Sequence, residues 1–276
     1  TPATPGPISG ANPACPGTSN SYNITAVPNA TNYTWIVPTG WTIVSGNGTT
    51  SISVTAGTTG QNGNITVSAG NSCGTSGLST LAVTTGTLSV SPVGVTITDN
   101  NSCFGTNKTL TVTGGILGTG AVWHWYSGLC GGTPLGTGSS ITVNPAAGTT
   151  TTYFVRAEGA CNTTDCATGD VVVSPATPAT PGPITGSATV CPTAAGLTYS
   201  ITSVTNATTY TWTVPNGWVI QSGQGTTSIT VNSGITGQNG SVTVTAGNSC
   251  GTSIASSLAV TVGPGTPATP GPITGA

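Results

Sequence analysis

Tyr33-Thr34-Trp35-Ile36-Val37-Pro38-Thr39-Gly40-Trp41 reads as a strand that runs into a turn. Tyr33, Trp35 and Val37 fall on one face, and Thr34 and Ile36 on the other. Such period-two alternation marks a strand with one buried face. The Pro-x-Gly that follows stops it. The stretch returns as YTWTVPNGW at Tyr210–Trp218.

The flanking sequence behaves alike. Tyr22–Thr25, Ser51–Val54, Ile65–Ala69 and Leu81–Val83 are further strand candidates, with Ile52 and Val54 inward. In the middle third the candidates are Val93–Thr98, Thr109–Thr113, Ala121–Tyr126, Ile141–Val143, Thr152–Ala157 and Asp170–Val173. Thr on the outward faces favours strands without charge. Gly-rich turns recur between the candidates, and no helical stripe appears. The fold expected is all-β, built of antiparallel sandwiches.

Repeats set the domain plan. TPATPGPISG opens the chain, and TPATPGPITG returns at Thr177–Gly186 and Thr266–Gly275. GNGTTSISV at Gly46–Val54 matches GQGTTSITV at Gly223–Val231, and AGNSCGTS stands at both Ala69–Ser76 and Ala246–Ser253. The first and last thirds are near-copies, and the middle third differs. Three tandem sandwich domains are expected at 1–87, 88–174 and 175–263, with 264–276 the linker and start of a next repeat. The Pro-rich joints are short and favour extended backbone, which suits a spacer.

Composition narrows function. The 276 residues include 42 Gly, 20 Pro and no Met, so the chain reads as part of a longer protein. The charged residues are Asp99, Lys108, Arg156, Glu158, Asp165 and Asp170, and His124 is the single His. Residues 1–98 and 171–276 hold neither charge nor His. They cannot supply a proton carrier, a carboxylate pair or a carboxylate calcium cage. An enzyme, a metal and a cofactor are therefore not expected. No basic patch invites nucleic acid, and no apolar run of spanning length invites membrane insertion.

The eight cysteines are Cys15, Cys73, Cys103, Cys130, Cys161, Cys166, Cys191 and Cys250. An even count without CxxC suggests disulfides and an extracellular or cell-surface setting. Counting alone pairs Cys15 with Cys73 and Cys191 with Cys250. In the middle third three connectivities are open. Cys103–Cys130 with Cys161–Cys166 is favoured, and Cys103–Cys161 with Cys130–Cys166 is the alternative.

The outer thirds resemble PKD-like domains of large secreted proteins of Bacteroidota. The matching pieces are Cys15-Pro16-Gly17, YTWIVPTGW, GNGTTSISV and NSCGTS, with their copies. The middle third resembles the Ig-like modules that accompany them, through Trp123–Val143 and Thr149–Cys166. The resemblance implies tandem repeats of surface adhesins, filaments or multidomain polysaccharidases, with no chemistry of their own.

Trp35 and Trp212 are expected in the core. Trp41, Trp218, Trp123 and Trp125 are candidate platforms for a sugar ring. His124 reads as an ordinary strand histidine, Arg156 and Glu158 as an ion pair on one strand face, and Lys108 as able in principle to form an intermolecular bond or an ion pair, with no local sequence feature pointing to either. The function expected is a structural segment of a long extracellular fibre, stalk or adhesin that can self-assemble into filaments. The alternative is a carbohydrate-binding or spacer module of a secreted polysaccharide-degrading enzyme. Expected partners are other copies or neighbouring repeats of the same protein, and surface glycans.

Overall fold

The computed structural model describes residues 1–265, all of them in strands, turns and loops without a helix. The first third forms β1 (Ser19–Asn23), β2 (Asn32–Ile36), β3 (Thr42–Ser45), β4 (Ser51–Thr55), β5 (Gly63–Asn71), β6 (Gly74–Thr75) and β7 (Ser79–Val83). The middle third forms β8 (Gly94–Thr98), β9 (Lys108–Thr113), β10 (Val122–Ser127), β11 (Thr133–Thr137), β12 (Ser140–Val143), β13 (Thr150–Glu158) and β14 (Ala167–Val172). The last third forms β15 (Thr189–Val190), β16 (Leu197–Ser200), β17 (Thr209–Thr213), β18 (Val219–Ser222), β19 (Ser228–Asn232), β20 (Gly240–Asn248), β21 (Gly251–Thr252) and β22 (Ser256–Val262).

The described residues group into two compact units. One holds Thr1–Thr98, Lys108–Val143 and Thr151–Asp170; the other holds Asp99–Asn107, Asn144–Thr150 and the chain from Val171. Of the expected linker at 264–276, residues 266–276 lie outside the described residues.

In the first unit β1-β4-β3 makes one sheet, and β2, β7 and β6 pair along β5 in another. Tyr22, Ile52 and Val54 from the first sheet meet Tyr33, Trp35, Ile65, Val67 and Val83 from the second in one core. Trp35 lies opposite Val67, in the register that period-two patterning requires. β12-β9-β8 and β11-β10-β13-β14 make the sheets of the middle third. Leu110, Trp125 and Val155 are fully buried there.

In the second unit β16-β19-β18 forms one sheet and β15-β22-β20-β17 the other, with β21 on β20. Its core repeats the first: Tyr199, Ile229 and Val231 against Tyr210, Trp212, Val242, Val244 and Val260. Trp212 lies opposite Val244.

The aromatics of the two repeated cores keep their polar tips bonded, as burial demands. The Trp35 indole N–H donates to Thr49 O at 2.8 Å, and Trp212 does the same to Thr226 O at 2.8 Å. The Tyr33 hydroxyl accepts from Val27 N, and Tyr210 from Val204 N, each at 2.8 Å. Every buried side-chain nitrogen or oxygen among the described residues has a partner.

Some strands escape the sequence pattern. β3 and β18 each bury only one residue, and partly. β11 (TPLGT) is exposed throughout and carries Pro134, which an edge strand tolerates. Strands that bury no face show no alternation to read.

Candidate functional site

Two features stand out from the packing: a polar aromatic cluster on β10 and β13, and the cysteines.

In β10 the two tryptophans face inward. Trp125 is fully buried, with its indole N–H donating to Gly138 O at 2.9 Å, and Trp123 is 7% exposed. His124 and Tyr126 take the opposite face and stack, with ring centroids 6.5 Å apart. His124 lies across from Arg156 in register. The Arg156 Nε donates to Glu158 Oε1 at 2.7 Å, and the Tyr126 hydroxyl donates to the same oxygen. The Arg156 guanidinium also covers the Tyr126 ring, 5.3 Å from its centroid.

This geometry sets the charges. The hydrogen bond from Tyr126 holds the Glu158 carboxyl below the usual range, with Arg156 adding to it. Burial pushes the Tyr126 phenol up, as does its bond to Glu158. The bond to Glu158 raises Arg156. Glu158 is thus a carboxylate already committed to two donors, a poor general base. The cluster braces the β10–β13 pair rather than preparing a reaction.

The candidate sugar platforms are closed. Trp41 and Trp218 are each 6% exposed. Their indole N–H groups donate to Gln61 O at 2.7 Å and Gln238 O at 2.9 Å, and their rings lean on Tyr22 and Tyr199. With Trp123 and Trp125 equally buried, none of the four offers a free ring face. Lys108 is fully buried in β9, out of reach of another chain, so an intermolecular bond there is excluded.

Cysteine pairing departs furthest from expectation. Cys15 pairs with Cys161, Cys103 with Cys250, and Cys130 with Cys166. Cys73 and Cys191 are free and exposed. The expected pairs Cys15–Cys73 and Cys191–Cys250 fail on distance. Cys15 follows Ala14, which bridges to Thr85 just past the end of β7, and there β7 pairs with the start of β5. Cys73 follows the far end of β5. Nine residues of strand separate these ends, roughly 30 Å, against a Cα limit of about 7 Å for a disulfide. Cys191 and Cys250 stand in the same way at opposite ends of β20. In the middle third the favoured Cys103–Cys130 and Cys161–Cys166 are also overturned. Only Cys130–Cys166 of the alternative forms, because Cys103 and Cys161 are engaged by the outer thirds.

A signal for this was present in the numbering. Cys15, Cys103 and Cys191 recur every 88 residues, and Cys73, Cys161 and Cys250 every 88 or 89. Two interleaved series with one period describe early and late cysteines of successive modules. Reading each third by itself hides the relation.

An open cavity of about 300 Å³ lies beside the Cys103–Cys250 cystine, lined also by Phe104, Ala176 and Thr177. Its size is at the lower limit for small-molecule sites, and it carries no charged group. Among the described residues no three His, Cys, Asp or Glu side chains are grouped to hold a metal.

The model of the PKD-like domain matches residues 1–83 and 177–260, and that of the Ig-like domain, CHU_C associated, matches 90–175. A search of curated proteins finds no match. Among solved structures, an I-band fragment of titin is similar at a TM-score of 0.55 and 15% identity, covering 95% of this chain and 96% of that one. A three-Ig, E-to-A mutated variant of the same titin domains gives 0.52 at 15% identity, with the same coverage. At that identity the likeness concerns the fold alone. The PKD-like matches together take in more than half of the chain, which therefore belongs to the PKD-like domain family and carries an Ig-like domain between its two copies.

Proposed function

We propose that this chain is a structural segment of a long extracellular fibre, stalk or adhesin, built from repeated modules of these two kinds. The observation that carries the reading is the placement of two cystines. Cys15 lies in a PKD-like match and Cys161 in the Ig-like match; Cys103 lies in the Ig-like match and Cys250 in the second PKD-like one. A disulfide between consecutive modules restrains the joint between them, a property that suits a load-bearing spacer. Modules of both kinds are typically structural and non-catalytic. The secreted setting is supported by the three cystines, and a Bacteroidota source by the resemblance of the modules. The closed Trp41, Trp218, Trp123 and Trp125 weigh against the sugar-binding alternative.

Small-angle scattering and negative-stain micrographs of the purified chain test this. An elongated particle that stays stiff until reductant is added is the expected result. A compact particle, or one whose flexibility ignores reductant, overturns it.

A further inference from the structure

Cys73 and Cys191 are the copies of two bonded cysteines. Cys73 stands in the first PKD-like module where Cys250 stands in the second, and Cys191 stands where Cys15 does. The two bonds between modules obey one rule, the early cysteine of a module joining the late cysteine of the next, while Cys130–Cys166 lies within a module. Cys15 reaches Cys161 across 146 residues, and Cys103 reaches Cys250 across 147. Under this rule Cys191 is an early cysteine awaiting a following module, and Cys73 is a late cysteine awaiting a preceding one.

Both seats already have the shape of their bonded counterparts. The Cys73 amide donates to Asn71 Oδ1 at 2.9 Å, and the Cys250 amide to Asn248 Oδ1 at 2.8 Å. Gly74 and Gly251 follow with φ of 130° and 140°. Ser76 and Ser253 accept from Ala69 N and Ala246 N at 2.9 and 3.0 Å. At the other seat Gly86 N donates to Ala14 O at 2.8 Å beside Cys15, and Gly263 N to Val190 O at 2.9 Å beside Cys191. The difference is exposure: the bonded copies Cys15 and Cys250 are half-buried, and Cys73 and Cys191 are exposed.

We propose that Cys191 of one copy of this chain forms a disulfide with Cys73 of a second copy next in line, so that copies join head to tail by the kind of bond that joins modules within a copy. The third TPATPGPITG, at Thr266–Gly275, repeats the segment that opens the PKD-like modules. The inference rests on the repeat-fibre reading and names the junction chemistry.

The bond forms by two exchanges with a small disulfide such as oxidised glutathione. The Cys191 thiolate attacks one sulfur and releases one thiolate, leaving a mixed disulfide. The Cys73 thiolate of the second copy then attacks the Cys191 sulfur and releases the other. Two protein thiols are oxidised, one small disulfide is reduced to two thiols, and two protons go to solvent or to the released thiolates.

The test uses Cys73→Ser, which keeps Cys191, and Cys191→Ser, which keeps Cys73, one of them isotope-labelled. The two are mixed in a glutathione redox buffer and separated without reductant. Random pairing makes half of the dimers mixed. The expected result is mixed dimers at roughly ten times the two like dimers together, falling to the random share in denaturant. Wild-type chain is expected to give a ladder in steps of 26.6 kDa, and the double variant Cys73→Ser/Cys191→Ser to stay monomeric. Mixed dimers at or below the random share, or glutathione adducts alone, overturn the proposal. Scattering from the double variant separates the two readings: an elongated particle leaves the fibre reading standing when the junction fails.

Discussion

The Cα atoms of Cys15 and Cys161 are 5.1 Å apart, although 146 residues separate them in sequence. The bond closes a loop that holds most of two modules. In the loop-entropy picture such closure contributes up to about 5 kcal/mol. Cys15→Ser is expected to lower the unfolding free energy of the first unit by a large part of that, read as a lower denaturant midpoint at unchanged m. Lys108 and Arg156 are the only tryptic sites, which gives a direct check of connectivity. After alkylation and denaturation without reductant, fragments 1–108, 109–156 and 157–276 are expected to remain one covalent species. Pairing as Cys103–Cys130 and Cys161–Cys166, with Cys15–Cys73 and Cys191–Cys250, would release 157–276.

Trp41 and Trp218 are buried members of the two PKD-like cores. Trp41→Ala and Trp218→Ala are expected to cost about 3–5 kcal/mol each, read as a loss of stability in equilibrium unfolding. A variant that kept full stability and lost only glycan binding would contradict their burial.

Glu158 gives the middle third a defined acid response. Its folded-state carboxyl lies below the usual range, through Tyr126 first and Arg156 with it. Its contribution is therefore complete above the unfolded-state value and is lost as pH falls through the folded one. Glu158→Gln is expected to cost about 1 kcal/mol at neutral pH, since both partners are a quarter exposed, and to flatten the fall in stability on acidification. Denaturant midpoints of both proteins at neutral pH and stepwise below pH ~4.5 read the difference.

Gly46 and Gly223 occupy φ of 83° and 86° at equivalent turns. A β-carbon on either would run into the carbonyl of Ser51 or Ser228. Gly46→Ala and Gly223→Ala are each expected to destabilise by more than the roughly 1 kcal/mol of a left-handed alanine, by similar amounts in the two copies. Unequal losses would show that the two turns are held differently.

The strands with a buried face were legible because alternation is local: Tyr33 and Trp35 on β2, or Ile52 and Val54 on β4, announce their side by spacing alone. β11 was not, because an exposed edge places no such demand. The indole of Trp41 could be read as a sugar platform until Gln61 O and Tyr22 were found around it. Both partners lie well away in sequence, and nothing in PTGW names them.

The amino-acid sequence by itself determined the all-β class, the two related outer modules and the confinement of charge to residues 99–170, since each rests on composition, short-range period or direct repetition. Only the tertiary structure decided which cysteines meet. A disulfide depends on two Cα atoms coming within a few ångströms, and strand direction carries Cys15 and Cys73 to opposite ends of one sheet while folding delivers Cys161 to Cys15. Cysteines counted within a module therefore mispair, and the two left exposed become the most informative residues in the chain.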